Sequence, residues 1–198
     1  MARQAVSLSY RLGGDDGVSV EARKWTNALR ELGYETRRVA GRIEDGGRDG
    51  DISLPGLALD AEEPADAGAI ARAIDGADLV VVENVCSLPI NLNAARATAT
   101  ATAAHRGRVV FRHHDLAWQR RRFQSNESEF PPRQAGAVHA TINLRSRREL
   151  SARGYEHAKT IHNYFDLDPP PGDRAATRAA HHFTDDDFVC LQPARAPS

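Results

Sequence analysis

Three polar segments of the 198-residue sequence combine groups that bind small polar molecules. Residues 13–17 (Gly-Gly-Asp-Asp-Gly) bring backbone amides and carboxylates together, residues 113–115 (His-His-Asp) supply imidazoles, and residues 163–166 (Asn-Tyr-Phe-Asp) supply an amide and a carboxylate. Exposed backbone amides at a helix N-terminus bind anions, whereas imidazoles and carboxylates form hydrogen bonds with hydroxyl groups. These residue types indicate a sugar or a phosphate as the ligand.

The glycine-rich loop is open to two interpretations. Gly13 and Gly14 let the backbone approach a ligand, and the carboxylates of Asp15 and Asp16 suit sugar hydroxyls better than a phosphate. Alternatively, the loop is a tight turn with an aspartate that caps the next helix. The dinucleotide pattern G-x-G-x-x-G is not met, because Leu12 stands two positions before Gly14 and no acidic residue directly follows the predicted second strand.

His113, His114 and Asp115 end another predicted strand and are expected in a cleft beyond it. Neighbouring side chains of an extended segment point to opposite faces, so the two histidines are not expected to bind one metal ion. No other histidine, cysteine, aspartate or glutamate group has metal-binding spacing, and no metal is predicted. Glu83 and Asn84 follow a separate apolar run and are expected to face the same cleft.

Arg120, Arg121 and Arg122 form a basic run between Trp118 and Phe123. Such a run is usually a solvated surface. A contact with an anionic acceptor or with acidic lipid head groups is the alternative. The sequence leaves both interpretations open.

Short apolar runs alternate with amphipathic segments, which predicts an α/β fold with a Rossmann-like, mostly parallel sheet and helices on both faces. Strands are expected at residues 5–12, 35–40, 79–82, 108–112, 137–142 and 158–162, with a short edge element at 52–59. Helices are expected at residues 18–32, 67–76 and 91–105, and after a capping box formed by Ser146 and Glu149. Because ligands bind beyond the carboxyl ends of parallel strands, the three polar segments should share one location.

The composition predicts three segments. Residues 1–168 are expected to form the Rossmann-like domain and residues 169–184 a proline-rich linker with a short helix. Residues 185–198 are expected to begin a second, truncated domain with a first strand at 188–191.

Charge and apolar content limit the class of protein. The net charge is -1 and 41% of the residues are hydrophobic, which gives no reason to expect nucleic acid as a partner. The sequence contains no signal-peptide pattern and no apolar run of the ~20 residues that cross a bilayer. We therefore expect a cytoplasmic protein, attached at most to the surface of a membrane.

Several motifs occur in an order that points to a known family. They are Gly13-Gly14 followed by residues 18–21 (Val-Ser-Val-Glu), the strand that ends in His114-Asp115, Ser146-x-x-Glu149 after residues 140–143, residues 162–166 (His-Asn-Tyr-Phe-Asp), and residues 191–195 (Leu-Gln-Pro-Ala-Arg). In this order the chain resembles the family-4-type retaining glycosyltransferases over essentially its whole length. Residues 162–166 resemble the P-N-G-V-D-like turn of that family.

The resemblance implies a GT-B fold, in which the active site lies between two Rossmann-like domains, and makes this chain the N-terminal, acceptor-side half. It implies transfer of a sugar, with retention, from a nucleotide-sugar such as a UDP- or GDP-sugar to a glycan, lipid or small-molecule acceptor. No metal or other cofactor is implied. By match, Gly13, Gly14 and His114 belong to the cleft, with His114 the catalytic candidate, and Asn163 and Arg195 contact the donor.

The sequence departs from the family pattern at its end, and other functions compete with the transferase. The lysine after the donor-site arginine and the Glu-x₇-Glu element have no counterpart before Ser198, and His162 stands where proline is common. We therefore expect the polypeptide to be inactive alone. The alternative is a stand-alone Rossmann-like module that binds a nucleotide or glycan without catalysis. A phosphoacceptor domain ranks last, because Lys24 and Lys159 are badly placed for its essential lysine.

Overall fold

The computed structural model describes residues 2–165, 167–168 and 171–190, so the predicted donor contact Arg195 lies outside the described residues. The chain divides into two compact units, Met1–Tyr164 and Phe165–Ser198. In the second unit, the described residues contain the helix predicted after the linker, at Arg174–Ala180. Residues 188–190 lie outside helices and strands, so the strand predicted at 188–191 is absent from its described part. The assignment of residues 185–198 to a second domain stays a prediction.

The first unit is built on one sheet of seven strands. They are β1 (Arg3–Leu12), β2 (Tyr34–Ile43), β3 (Ile52–Ser53), β4 (Leu79–Glu83), β5 (Arg108–His113), β6 (Val138–Thr141) and β7 (Ala158–Thr160). All neighbours are parallel, in the order β3-β2-β1-β4-β5-β6-β7. The predicted Rossmann-like α/β fold is thereby confirmed. Strand order reverses between β1 and β4, which creates a crevice beyond their carboxyl ends.

Four helices accompany the sheet. They are α1 (Gly17–Glu31), α2 (Ala67–Ile74), α3 (Leu92–Ala103) and α4 (Leu144–Ala152). The first three agree with the prediction to within about two residues at each end, a difference expected for helix termini. Among the described residues, no helix is long and apolar enough to span a membrane.

The capping box predicted for α4 is wrong. Asn143, two residues after the end of β6, is the N-cap, and its Oδ1 accepts a hydrogen bond from the backbone N of Ser146 at 2.8 Å. Ser146 is therefore inside the first turn. The Glu149 carboxylate instead accepts hydrogen bonds from Trp118 Nε1 at 2.9 Å and Gln119 Nε2 at 2.7 Å, which ties α4 to the segment after β5.

The core lies on both faces of the sheet. On one face, Val80 and Val82 of β4 belong to a buried cluster with Ile70 of α2. On the other face, Val81 packs with Leu29 of α1. The central strand is therefore buried on both sides, as its continuous apolar sequence predicts.

Gly41 in β2 provides a test of this packing. A Cβ added at Gly41 would overlap the backbone of Ala58 and Leu57, which cannot move aside like the end of a flexible side chain. We expect Gly41→Ala to lower the free energy of unfolding by about 1–3 kcal/mol, as other overpacked sites do. The measurement is urea unfolding. Gly17→Ala is the control, because open space surrounds Gly17, and equal losses in the two variants would contradict the prediction.

Candidate functional site

The segments that follow β1, β4, β5 and β7 lie at the carboxyl end of the sheet, because all strands are parallel. This end contains the glycine-rich loop, the residues after Glu83, the His-His-Asp segment and Asn163. Residues 13–17, residues 113–115 and Asn163 of the third polar segment thus occupy the same end of the first unit. Phe165 belongs to the second unit, and Asp166 lies outside the described residues. Their side chains, however, have very different degrees of burial and different partners.

Asp16 is the N-cap of α1. Its Oδ1 accepts hydrogen bonds from the backbone N of Val18 at 3.0 Å and of Ser19 at 3.3 Å, and its Oδ2 lies 3.1 Å from Arg11 Nε. Burial opposes ionisation, but the hydrogen bonds from Ser19 and the charge of Arg11 outweigh it, so the pKa of Asp16 is lowered. Of the two interpretations of this loop, the structure shows the helix cap.

The two glycines of the loop pack against carboxylates. Gly13 has a φ of +86°, and a Cβ added there would lie 2.7 Å from Asp45 Cγ, while one added at Gly14 would overlap the carboxylate of Glu44. Both acidic residues directly follow β2, which extends to Ile43. The expectation that no acidic residue directly follows the second strand is therefore wrong, because pairing with β1 continues the strand beyond residue 40.

Arg112, near the end of β5, is the centre of a buried charged cluster. Its side chain is 1% exposed, and its guanidinium lies 3.3 Å from both carboxylate oxygens of Glu83 and 3.1 Å from Glu21 Oε2. It also donates to Asn163 Oδ1 at 3.2 Å and lies over the Trp25 ring at 4.5 Å. The sequence analysis did not select Arg112. Two features of the sequence could have pointed to this cluster. One is a charged residue in a predicted buried strand, and the other is an acidic residue four positions before a tryptophan in an amphipathic helix.

The chain that leaves β7 is held against α1 by the same cluster. The Oδ1 of Asn163 is occupied by Arg112, and the Tyr164 carbonyl accepts a hydrogen bond from Lys24, whose Nζ also lies 2.6 Å from Glu21 Oε1. Asn163, the predicted donor contact, thus has a structural partner in this unit. Its contact with a donor stays a prediction.

Asn84 joins the end of β4 to the end of β5. It has a φ of +61°, a left-handed conformation that asparagine adopts more readily than most residues. Its Oδ1 accepts hydrogen bonds from the backbone N of His114 at 3.1 Å and of Asp115 at 3.3 Å, and its own N donates to the Arg112 carbonyl at 3.0 Å. The position of the His114 backbone is therefore fixed by a side chain from the neighbouring strand.

The side chain of His114 lies beside Glu83. Its Nε2 is enclosed, has no hydrogen-bond partner among the described residues, and lies 3.6 Å from Glu83 Oε2.

The next residue, Asp115, is half-buried and pairs with Arg120 at 2.6 Å. Arg121 and Arg122 are exposed, and neither forms an ion pair within the described part of the chain. Membrane contact through this run stays a prediction.

His113 has entirely different partners from His114. It is fully buried, with Nδ1 2.6 Å from Ser87 Oγ and Nε2 2.9 Å from His139 Nδ1. Burial, followed by the neighbouring His139 and His114, holds the pKa of His113 well below 6.5. Burial, with Arg133 and His157, lowers the pKa of His139 to about 4. Within the described ranges, no group of three or more histidine, cysteine or acidic side chains is arranged to hold a metal ion.

Comparison with known proteins gives relatives that transfer sugars, although no family model matches the chain. The sequence is 25% identical over 200 residues to mannosylglucosylglycerate synthase of Thermotoga maritima, covering 82% of this chain and 45% of that protein. The synthase of Petrotoga mobilis is 25% identical over 196 residues, covering 81% and 44%. The chain thus spans a little under half the length of the curated relatives it matches.

A solved structure matches the parallel α/β fold of this chain. An α-glucosyltransferase in complex with UDP-glucose and DNA containing an abasic site matches with a TM-score of 0.53 and 13% identity, covering 83% of this chain and 43% of that one. The fold is therefore that of a Rossmann-like glycosyltransferase domain, and the sequence relatives are glycosyltransferases.

Removal of Arg112 tests the buried cluster. We expect Arg112→Met to lower the free energy of unfolding by about 3–5 kcal/mol, because Glu83 and Glu21 then lose the cation that compensates their burial. Arg42→Met is the matched control, since the Arg42–Asp60 pair has side chains 60% and 61% exposed and such pairs contribute at most about 1 kcal/mol. Urea unfolding measures both, and a similar small loss in the two variants would argue against the cluster as a stabilising centre.

The buried histidines predict a pH dependence of stability. The unfolded chain binds a proton at His139 below about pH 6.5, whereas the folded chain does so only near pH 4. Stability should be greatest above pH 6.5 and fall by about 3 kcal/mol between pH 6.5 and 4 from this residue, with His113 adding to the loss in the same direction. Urea unfolding across this range is the measurement. His139→Gln should give a shallower dependence, and identical pH profiles for the variant and the parent would refute the assignment.

Proposed function

We propose that the chain is the acceptor-side domain of a retaining, family-4-type glycosyltransferase with a GT-B fold. One observation carries the proposal: similarity to sugar-transferring synthases and the structural match to a glucosyltransferase each cover about four fifths of the chain. In both comparisons the matched part is less than half of the other protein. A domain that works together with a second, donor-binding domain accounts for both facts.

The name of the relatives supports a proposal for the class of substrate. Their name describes a product that contains mannose, glucose and glycerate. For this chain we infer an acceptor in which glucose is linked to glycerate, and a mannosyl group delivered by a nucleotide-sugar such as a GDP- or UDP-sugar. The carboxylate of such an acceptor would suit the exposed Arg121 and Arg122 after β5. No nucleic acid, metal or further cofactor enters the proposal.

His114 and Asp115 are the residues that would meet the acceptor. Both have backbone amides fixed by Asn84, so the side chains start from a defined position beyond β5. A preorganised imidazole is suited to accept the proton of the acceptor hydroxyl as its oxygen bonds to the sugar and the nucleotide diphosphate leaves with the electron pair of the broken bond. Donor contacts would come from the second domain, so this chain alone is expected to bind acceptor without transferring sugar.

Binding of the acceptor is the direct test. We expect glucosylglycerate, titrated into the purified chain, to shift the backbone amide NMR signals of Asn84, His114 and Asp115. His114→Ala should weaken binding, whereas His157→Ala, at an exposed histidine that precedes β7, should not. Nucleotide binding without acceptor binding would favour the stand-alone module.

Catalysis is tested in a longer protein that joins this chain to a donor-binding domain. There, His114→Ala should lower turnover about a hundredfold, the lower range for proton transfer by a side chain, while the free energy of unfolding changes little. Unchanged turnover would remove His114 from the site. Sugar transfer by the 198-residue chain alone would overturn the proposal that it is inactive by itself.

A further inference from the structure

We propose that Glu83 is a positioning residue that holds His114 in the tautomer protonated at Nε2, so that Nδ1 presents an unprotonated lone pair at the carboxyl end of the sheet. His114 would then accept a hydrogen bond from a hydroxyl group and would not donate one to a phosphate. The identity of that hydroxyl as part of a sugar acceptor rests on the proposed function. The tautomer itself does not.

The first step is the environment of Nε2. The His114 side chain is 10% exposed, and its Nε2 is enclosed with no hydrogen-bond partner among the described residues. The group it faces is the carboxylate of Glu83, with Oε2 at 3.6 Å. A lone pair on Nε2 would face negative charge inside the protein, whereas an N–H there points its positive end at a carboxylate. The neutral imidazole is therefore favoured with its proton on Nε2.

The second step is the rigidity of the carboxylate. Arg112 Nη1 lies 3.3 Å from both oxygens of Glu83, and the Glu83 side chain is fully buried. Arg112 is itself held by Glu21 and by the face of Trp25. Glu83 thus cannot turn away from His114 without breaking an ion pair in the interior.

The third step is the opposite side of the ring. Asn84 fixes the backbone N of His114, so residues 83 and 84 hold the side chain and the backbone of the same histidine. Unlike Nε2, the Nδ1 atom is not enclosed, and it has no hydrogen-bond partner within the described part of the chain. A neutral imidazole protonated at Nε2 can only accept at Nδ1. This chemistry selects a hydroxyl donor and disfavours a phosphate oxygen.

Imidazole ¹⁵N NMR of the purified chain tests the tautomer directly. At about pH 8.5, where an ordinary imidazole is neutral, we expect the Nε2-protonated form of His114 to exceed the Nδ1-protonated form by roughly tenfold, because Glu83 Oε2 lies 3.6 Å from Nε2 and its charge attracts an N–H there. The His114 signals are assigned from their loss in His114→Ala. Glu83→Gln should reduce the ratio by roughly threefold or more, because a neutral amide removes most of this attraction. Glu21→Gln is the matched control, because it also removes a carboxylate from Arg112 but has no contact with His114, and it should leave the ratio unchanged.

Two results would overturn the proposal: a parent chain with equal populations or an excess of the Nδ1-protonated form, or a Glu21→Gln variant that shifts the ratio as much as Glu83→Gln. If Glu83→Gln does not fold, the parent measurement still decides. Glu83→Asp, which keeps the charge but withdraws it by one methylene, should then lower the ratio, and an unchanged ratio would count against Glu83.

Addition of glucosylglycerate separates the two proposals. The expected tautomer with no Nδ1 response to the sugar supports the role of Glu83 and contradicts the proposed acceptor.

Discussion

Burying the guanidinium of Arg112 requires compensating partners, because an unpaired cation in a protein interior costs several kcal/mol. Glu83 from β4, Glu21 and Trp25 from α1, and Asn163 from the segment after β7 supply them. These partners come from distant parts of the sequence, so the cluster is complete only when α1, the central strands and the exit from β7 are all in place. The cluster thereby makes the carboxyl end of the sheet one cooperative arrangement.

The same requirement explains why the end of β4 has acidic and amide side chains. Glu83 is shared between Arg112 and His114, and Asn84 adopts a left-handed conformation that brings its Oδ1 to the amides after β5. The buried carboxylate of Glu83 compensates one cation and also faces an imidazole. The stability of this end of the sheet and the proposed orientation of His114 therefore depend on the same side chain.

The sequence alone predicts the strands of the sheet, but it does not predict which buried side chains pair with one another. Alternation of apolar runs with amphipathic helices predicts the strands and their parallel arrangement, because burial on two faces demands continuous apolar sequence, as in β4. Arg112 was missed because Glu21 lies 91 residues away, and no local pattern records such a distance. Element ends caused the other errors: β2 continues to Ile43, so the acidic residues after it were overlooked, and Asn143 caps α4 ahead of Ser146.

The adjacent histidines show how the fold separates roles that a motif leaves together. His113 lies inside the sheet layer, where hydrogen bonds to Ser87 and His139 satisfy both ring nitrogens and burial keeps the ring neutral. His114, one residue later, has Nε2 enclosed beside the carboxylate of Glu83, whereas its Nδ1 is not enclosed. Because successive side chains of a strand diverge, a dipeptide at a strand end can place one imidazole in the core and the other at the ligand. Within the His-His-Asp segment, His114 and Asp115 are therefore the candidates for contact with a ligand, because His113 is fully buried.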